Sequence, residues 1–510
     1  MTIDIQRDTQ NPGAERHVGV AILGAGFGGI AMGVELQRRG RRDFRIFEQA
    51  DGVGGTWWVN RYPGCACDVP AHLYSFSFAP NPDWSRRFAP RAEIQAYLER
   101  VVRDREFADR IELGCRIERA RWNEATHRWV LDDAHGRRWT AEVLVSAIGG
   151  LSRPARPDLP GLDRFEGPIV HSQQWPDDLA IEGRRVAVVG TGATAAQIVP
   201  EIAPKVAQLD VYQRSPNWIL PRPDGPIRPW QRALYRRLPW LQKLVRLSIW
   251  LGSELRVPGL AWSNRLAAGH RALALWHLKR QVPDPGLRRA LTPDFAIGCR
   301  RVLRSSDYYP ALVRDNVSLV TSPIESIEPG GVVTADGQRR EADLLVLATG
   351  FRATSPVPEG LLTGRDGVDL AAAWAESGPE AWRGVAVHGF PNLFLLMGPN
   401  TALGHNSVVY MIESQARFVA DAVVELSTRG TVAEVRADAQ RDDNAEVQRK
   451  LAGSVWNTGG CRSWYLHPVS GRNATLWPGF TLSYRNRLRR FLPEAFELRP
   501  TPPRDAGPGP

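Results

Sequence analysis

Two glycine-rich turns, each directly after an apolar segment, constrain the fold of this 510-residue chain more than any other feature. The first turn, Gly24 to Gly29, follows His17–Leu23, and the second, Gly190 to Ala195, follows Arg185–Val189. In the G-x-G-x-x-G/A pattern, the first glycine permits a tight turn and the second lets a pyrophosphate approach the backbone. The third position lets the following helix pack on the strand. The sequence therefore predicts an α/β fold with two doubly wound Rossmann-like dinucleotide-binding domains.

The residue that lies nineteen positions beyond each turn differs in charge. Glu48 stands there in the first site, directly after the apolar segment Phe44–Phe47, and Arg214 stands there in the second, after Leu209–Tyr212. A carboxylate can bind the hydroxyls of an unphosphorylated ribose, whereas an arginine pairs with a 2′-phosphate that a carboxylate would repel. We therefore expect FAD in the first site and NADPH in the second.

A segment between the two turns has the composition of a linker but a specific spacing. It reads Phe165-x-Gly167-x-x-x-His171-x-x-x-Trp175-Pro176 and matches the fingerprint of Baeyer–Villiger monooxygenases at every defined position. The loop Gly54-Gly55-Thr56-Trp57 and the later Tyr62-Pro63-Gly64 also resemble the flavin-containing and Baeyer–Villiger monooxygenase superfamily. The resemblance extends from about Val18 to Tyr484, which is nearly the whole chain.

The resemblance implies an FAD- and NADPH-dependent monooxygenase that uses O₂ to convert a small-molecule ketone to an ester or lactone through a C4a-peroxyflavin. By the same resemblance, Asp68 faces the flavin, Arg300 contacts the 2′-phosphate of NADPH and Arg301 is the active-site arginine. A fixed cation favours the anionic peroxide and the oxyanion of its adduct with the ketone. Asp68 would orient Arg301 and moderate its charge. The chain departs from many members at Cys65-Ala66, where they have Ala-Arg.

The predicted site residues form three groups. Trp464 is included because its segment aligns with one that folds over the nicotinamide in relatives. No metal site is predicted. His171 and Trp175 are expected to couple domain movement and to take no part in bond making. The predicted FAD ligands are Gly24, Gly26, Phe27, Gly29, Glu48, Gly55, Thr56, Trp57, Tyr62 and Asp68. The predicted NADPH ligands are Gly190, Gly192, Ala193, Thr194, Ala195, Arg214, Ser215, Arg300 and Trp464. The catalytic pair is Arg301 and Asp68, and the fingerprint group is Phe165, Gly167, His171, Trp175 and Pro176.

The two motifs and the resemblance also predict a domain division. Residues 1–152 would form the first part of the FAD domain, and residues 153–342 the NADPH domain with a helical insert at 222–290. Residues 343–510 would form the second part of the FAD domain and a C-terminal active-site segment. The segment from Asp343 to Phe351 resembles the linker that returns to the FAD domain in the superfamily.

The helical insert carries nearly all of the net charge of +10. Between Arg222 and Arg289 there are fourteen Lys and Arg against three Asp and Glu, so the rest of the chain sums to about −1. The high pI is therefore no sign of nucleic-acid binding. Apolar residues at helical spacing from Trp230 to Leu255 favour a helical cap over the cleft, with the arginines on its solvent-exposed face. The alternative is an amphipathic surface that touches a membrane at about 229–280.

Cysteine usage and the N-terminus favour a cytoplasmic protein. The five cysteines are odd in number and scattered, which indicates no disulfide framework and a reducing compartment. Met1 to Arg16 is polar and charged and lacks a signal-peptide pattern.

Three alternatives to the ketone-oxidising function stay open. A flavin monooxygenase could oxygenate soft nitrogen or sulfur through the protonated hydroperoxide. A disulfide-type flavoprotein reductase would need a redox dithiol beside the flavin, and Cys65 and Cys67 lack the C-x-x-C spacing. A non-catalytic FAD-binding protein would show no NADPH-dependent oxygen uptake.

Overall fold

The computed structural model describes residues 16–502. The predicted absence of a signal peptide concerns residues that lie, apart from Arg16, outside the described part. The strands of the described part are β1 Arg16–Leu23, β2 Phe44–Phe47, β3 Ile111–Glu112, β4 Ile117–Asn123, β5 Arg128–Asp133, β6 Arg138–Ser146, β7 Ile169–His171, β8 Arg185–Val189, β9 Gln208–Tyr212, β10 Ile219–Leu220, β11 Leu303–Arg304, β12 Val317–Val320, β13 Ile324–Glu328, β14 Gly331–Thr334, β15 Arg339–Glu341, β16 Leu344–Leu347, β17 Leu362–Thr363, β18 Leu393–Leu395, β19 Thr431–Val435 and β20 Phe496–Pro500.

The α-helices connect and cover these strands. They are α1 Phe27–Arg38, α2 Thr56–Val59, α3 Arg91–Asp104, α4 Ala193–Ile202, α5 Pro229–Arg237, α6 Pro239–Glu254, α7 Ala268–Gln281, α8 Pro285–Ala290, α9 Tyr308–Leu312, α10 Leu370–Ala373, α11 Val408–Arg429, α12 Ala437–Ala452, α13 Val455–Thr458 and α14 Thr481–Arg487.

The first glycine-rich turn belongs to a large mixed sheet with the order β17-β4-β5-β6-β1-β2-β3, in which β18 also pairs with β6. Strand β1 is nearly fully buried and runs parallel to both β2 and β6. Helix α1 packs against the buried helix α11. Because β17 and β18 come from the last third of the chain, the sheet is built from two separate parts of the sequence.

The second glycine-rich turn belongs to a five-stranded parallel sheet with the order β12-β9-β8-β16-β7. Its strands are short apolar runs, as expected for a parallel sheet that is covered on both faces. The first nucleotide turn follows the carboxyl end of β1, and the second follows the carboxyl end of β8. This is the edge at which open α/β sheets bind their ligands.

Two segments lie elsewhere than the sequence indicated. Leu344–Leu347, which resembled a returning linker, forms the interior strand β16 of the second sheet, between β8 and the edge strand β7. The fingerprint segment, which had the composition of a linker, supplies the edge strand β7. Both strands pair with residues far away in sequence, so no local pattern indicated their positions.

The helical insert contains the four helices α5 to α8, of which α5 and α6 cover nearly all of the segment from Trp230 to Leu255 whose apolar spacing predicted helix. The predicted orientation of its side chains is only partly correct. Leu241 and Val245 pack against the core, but Trp230 and Leu255 are exposed. Arg246, expected on the wet face, turns inward and donates to the carbonyl oxygens of His72, Leu73 and Ser75 at 2.8–3.2 Å. Within residues 16–502, no helix has the length and apolar character needed to cross a bilayer.

Candidate active site

The first nucleotide turn has the geometry that its glycines allow. Gly24 has a φ of 102°, a left-handed value that favours glycine. A Cβ at Gly29 would collide with the carbonyl oxygen of Gly24, so only glycine permits this close packing of α1 on the turn. Helix α1 has no side-chain N-cap, which leaves its first amides free for an anion. The turn therefore fits a pyrophosphate.

Glu48 lies at the end of β2 beside this turn and is buried. Its carboxylate accepts the amide of Ala25 at 2.8 Å and that of Ala50 at 2.9 Å. Burial raises the pKa of Glu48 above its ordinary range, although these backbone donors oppose the shift. The carboxylate is thus fixed next to the turn, where its remaining acceptor sites fit ribose hydroxyls.

The loop around Gly55 lies against the first turn. Gly55 has a φ of 55°, and a Cβ there would lie 3.0 Å from the Cα of Gly26. Trp57 donates its indole N–H to the hydroxyl of Tyr74 at 3.1 Å. Tyr62 donates to the side chain of Gln197 on α4 at 3.0 Å and so links the two nucleotide sites.

The second nucleotide turn repeats the first. Gly190 has a φ of 114°, and a Cβ there would lie 2.5 Å from the carbonyl oxygen of Ala348. At Gly192 a Cβ would meet no atom within 4 Å, so that side of the turn is open to a ligand. Helix α4, like α1, begins without a side-chain cap. This turn also fits a pyrophosphate.

Two arginines and a hydroxyl meet beyond the second turn. Arg300 donates to the hydroxyl of Ser215 at 2.7 Å and to the carbonyl oxygen of Arg462 at 2.8 Å. Burial and the nearby charge of Arg214 lower the pKa of Arg300. Arg214 itself is exposed. Two cations held this close fit a dianionic phosphate, which would relieve their repulsion.

One cleft of about 1490 Å³ contains most of the predicted cofactor ligands. Gly29 and Ala195 do not line it, because they lie behind their turns against the strands. Trp464, which is 45% exposed, lies on the wall of the cleft. The predicted residues that line the cleft are Gly24, Gly26, Phe27, Glu48, Gly55, Thr56, Trp57, Tyr62, Asp68, Gly190, Gly192, Ala193, Thr194, Arg214, Ser215, Arg300, Arg301 and Trp464.

The fingerprint residues lie outside the cleft and support it from behind. Phe165 and Trp175 are buried in the core. Gly167 is required because a Cβ there would lie 2.5 Å from the carbonyl oxygen of Asp343. His171 accepts the amide of Gln173 at 3.2 Å through Nδ1, so Nε2 carries the proton and donates to the carbonyl oxygen of Gly350 at 3.2 Å.

Arg301 and Asp68 form a bidentate ion pair. Arg301 Nε donates to one carboxylate oxygen at 2.8 Å and Nη2 to the other at 2.7 Å. Arg301 Nη1 also donates to the carbonyl oxygen of Leu403 at 3.2 Å. Burial alone would raise the pKa of Asp68, but the charge and hydrogen bonds of Arg301 outweigh it and lower that pKa. The charge of Asp68 in turn raises the pKa of Arg301, so the guanidinium stays protonated.

This ion pair lies where the large cleft meets a second cavity of about 580 Å³. Asp68 and Arg301 line both spaces. The second cavity is also lined by Arg256, Arg304 and the buried Tyr465. None of these three residues was predicted from the sequence. Arg256 and Arg304 belong to no motif, and Tyr465 is the neighbour of Trp464, which alone was predicted from its segment.

The cysteines contradict one prediction. Cys299 and Cys461 are joined by a disulfide bond, although the count and scatter of the cysteines indicated none. They lie 162 residues apart in sequence, so spacing carried no signal. Burial raises the pKa of Cys65 to about 11 and that of Cys67 further still, so both remain protonated thiols. A redox dithiol at this position is not supported.

Comparisons with known proteins agree with this geometry. The family model described as NAD(P)-binding Rossmann-like domain matches residues 22–90, and that described as L-lysine 6-monooxygenase/L-ornithine 5-monooxygenase matches residues 71–223. A Baeyer–Villiger monooxygenase of Pseudomonas aeruginosa is 50% identical over 96% of this chain and 93% of its own length.

Solved structures share the whole architecture. Cyclohexanone monooxygenase from Rhodococcus sp. Phi1 bound to NADP+ superposes with a TM-score of 0.84 at 28% identity, over 96% of this chain and 100% of that one. The crystal structure of an OTEMO complex with FAD and NADP gives a TM-score of 0.83 at 27% identity, over 94% of this chain and 99% of that one. With a half-identical relative that spans almost its full length, the chain belongs to the Baeyer–Villiger monooxygenases.

Proposed function

We propose that this enzyme uses FAD, NADPH and O₂ to convert a small-molecule ketone to an ester or lactone, with Arg301 as its catalytic residue. The observation that carries the proposal is the position of the Arg301–Asp68 pair, at the junction of the cofactor cleft and the second cavity. A ketone in that cavity can meet the guanidinium on one side and the cofactor cleft on the other.

The two nucleotide turns divide the cofactors between them. The turn from Gly24 to Gly29, with Glu48, would hold the pyrophosphate and ribose of FAD. The turn from Gly190 to Ala195, with Arg214 and Arg300, would hold NADPH and its 2′-phosphate. We place the FAD domain in two parts around an NADPH domain that includes β7 to β16.

Bound FAD, once reduced by NADPH, supplies an activated oxygen atom derived from O₂. The chain supplies the electrostatics. Three of the five N–H groups of Arg301 are engaged with Asp68 and Leu403. The remaining two, which have no partner among residues 16–502, can stabilise negative charge on the carbonyl oxygen of the ketone. Arginine suits this role because it does not lose its proton.

Asp68 is a positioning residue. Its two hydrogen bonds fix the plane of the guanidinium, and its charge partly neutralises that of Arg301. Without Asp68, Arg301 would keep only the Leu403 carbonyl as a partner among the described residues.

The test is Arg301→Ala, assayed separately for reduction of bound FAD by NADPH and for ester formation. We expect the rate of ester formation to fall by about 10²- to 10³-fold, because the fixed cation is lost. The rate of FAD reduction should stay within a few-fold of that of the wild type. Arg237→Ala on the exposed face of α5 removes one charge away from the site and is the control. Undiminished ketone oxidation by Arg301→Ala would contradict the proposal.

The second candidate function is oxygenation of nitrogen or sulfur. The match of residues 71–223 to the L-lysine 6-monooxygenase/L-ornithine 5-monooxygenase family model favours keeping it. That reaction produces no oxyanion at a ketone, so the rate of nitrogen or sulfur oxygenation should be unchanged in Arg301→Ala. Oxidation of a thioether or amine with no ester from any ketone would favour this candidate.

A further inference from the structure

The cavity of about 580 Å³ beside the catalytic pair has an excess of positive charge. Five arginines line it, against the single carboxylate of Asp68: Arg87, Arg256, Arg300, Arg301 and Arg304. Asp68 is occupied by Arg301, and Arg300 is held by Ser215 and Arg462. The cavity therefore contains cations that the protein does not neutralise.

Besides Arg300, Arg256 and Arg304 are the partly buried arginines of its wall that form no ion pair with any residue from 16 to 502, whereas Arg87 is exposed. Arg256 donates only to the backbone carbonyl of His405, at 3.2 Å, and Arg304 forms no side-chain hydrogen bond or ion pair with any residue from 16 to 502. Both are only partly exposed. Burial and the charges of Arg304 and Arg301 lower the pKa of Arg256 to about 10. Burial and the charges of Arg301 and Arg87 lower the pKa of Arg304, although the charge of Asp68 opposes this shift. An anion between them would relieve both effects.

The phosphates of NADPH do not supply that anion. Residues Gly190 to Thr194 and Arg214 line the large cleft, and none of them lines the smaller cavity. Arg300 lines both spaces, but it donates to Ser215 and Arg462, which line only the large cleft. The smaller cavity has instead the features of a substrate site. Its volume is that of a site for a small organic molecule, and Leu220, Ile249 and Leu260 give it apolar walls.

We propose that the substrate is a ketone that carries a carboxylate, which Arg256 and Arg304 bind while the ketone lies at Arg301. The guanidinium fork matches a carboxylate bidentately, and the apolar walls suit an alkyl or aryl spacer between the two groups. This inference rests on the proposed function and adds a substrate class to it.

The experiment compares a medium-chain methyl ketone acid with its methyl ester, which differs only in charge at the far end. We expect kcat/KM for the acid to exceed that for the ester by about 10- to 100-fold in the wild type. Arg304→Leu and Arg256→Leu should each lower the ratio of kcat/KM for the acid to kcat/KM for the ester to about one, measured within the same variant. Arg304→Lys should restore part of the preference, and Arg237→Leu should have no effect.

Calorimetric titration of the acid into the enzyme with FAD and NADP+ bound gives a readout without turnover. The wild type should bind the acid at least ten-fold more tightly than Arg304→Leu does. Equal binding and equal acid-to-ester ratios in the two proteins would overturn the substrate class and leave the proposed function intact. Charge-selective binding with no ester formed from either ketone would support the anion site and contradict the proposed function.

A separate observation concerns the outer surface of the insert. Helix α6 carries an apolar stripe on its outer side, where Trp240, Leu244, Leu247 and Leu251 are each at least 47% exposed. Its buried side carries Gln242, which donates to the carbonyl oxygen of Asn81 at 2.6 Å. Because Leu241 and Val245 pack against the core on the inner side, α6 is apolar on both sides, whereas an ordinary surface helix exposes a polar one.

The stripe is part of a wider apolar face. Of the seventeen exposed large apolar side chains among residues 16–502, eleven lie between Trp230 and Trp276. They share this region with the net charge of +11 between Arg222 and Arg289. Two such faces would repel each other, whereas an anionic lipid surface would attract one. Four of the eleven are tryptophans, a residue enriched at membrane interfaces.

We infer that this face docks on the surface of an anionic lipid bilayer without crossing it. Ser248, Ile249 and Leu255 belong to the same segment and line the substrate cavity. The docked enzyme would thus present the cavity close to the lipid, where amphiphilic substrates concentrate.

Flotation with vesicles of phosphatidylcholine, with and without phosphatidylglycerol, tests the inference. The wild type should float with the anionic vesicles and be released by high salt. Leu247→Gln with Leu251→Gln should remove flotation, whereas Leu482→Gln, an exposed leucine outside the insert, should not. Absence of flotation, or a dimer that the double substitution dissociates, would overturn the inference.

Discussion

The two nucleotide sites share one backbone design and differ in the charge at its far end. Gly24 and Gly190 have nearly the same φ, and both following helices begin without a side-chain cap. Beyond the turns, however, Glu48 is buried and bound to two amides, whereas Arg214 is exposed next to Arg300. From this comparison we propose that the turn binds the pyrophosphate of a dinucleotide and that the one side chain beyond it selects which dinucleotide is bound.

The largest effect should come from Glu48→Ala. The change leaves the amides of Ala25 and Ala50 without their acceptor in a buried place, which costs about 1.5–3 kcal/mol. FAD should bind about 10- to 100-fold more weakly, as measured by titrating the apoprotein, while NADP+ affinity stays unchanged. Glu48→Gln keeps one acceptor oxygen, so its affinity for FAD should fall less than that of Glu48→Ala. Equal weakening of both cofactors would break the comparison.

The third position of each turn should give a smaller effect. Gly29→Ala forces a Cβ against the carbonyl oxygen of Gly24, an overpacking that should lower the free energy of unfolding by about 1–3 kcal/mol. The reverse change in the second turn, Ala195→Gly, should lower it by about 0.5–1 kcal/mol. Denaturant unfolding of both holoenzymes measures the difference. A Gly29→Ala enzyme as stable as the wild type would refute the packing argument.

The smallest effect should come from the fingerprint histidine, His171, which we propose couples movement of the two domains. His171 contacts Gly350, and Gly350 lines the cleft. His171→Ala should raise several-fold the fraction of NADPH that is oxidised without ester formation, because β7 would lose its hydrogen bond to Gly350 in the cleft wall. FAD should stay bound. His135→Ala removes a similar contact, to Gly114 in the first sheet region, and is the control. Unchanged coupling in His171→Ala would exclude this role.

The sequence predicted both nucleotide turns and their charged residues because strand, turn and helix follow one another locally. It did not predict that β16 lies inside the second sheet or that Cys299 and Cys461 are bonded, because the partners are distant in sequence. It also could not tell which side of α6 faces the core, since helical spacing defines a face but not its direction. Arg301 and Asp68 were named by resemblance alone, and the structure brings them into contact.

The most direct test of the contrast between the sites is reduction of bound FAD by NADPH and by NADH in Arg214→Ala, without O₂. Removing the guanidinium should lower the preference for NADPH over NADH by about 10- to 100-fold, and FAD content should equal that of the wild type and of Arg237→Ala. An unchanged preference, or loss of FAD, would contradict the assignment of Arg214 to the 2′-phosphate of NADPH.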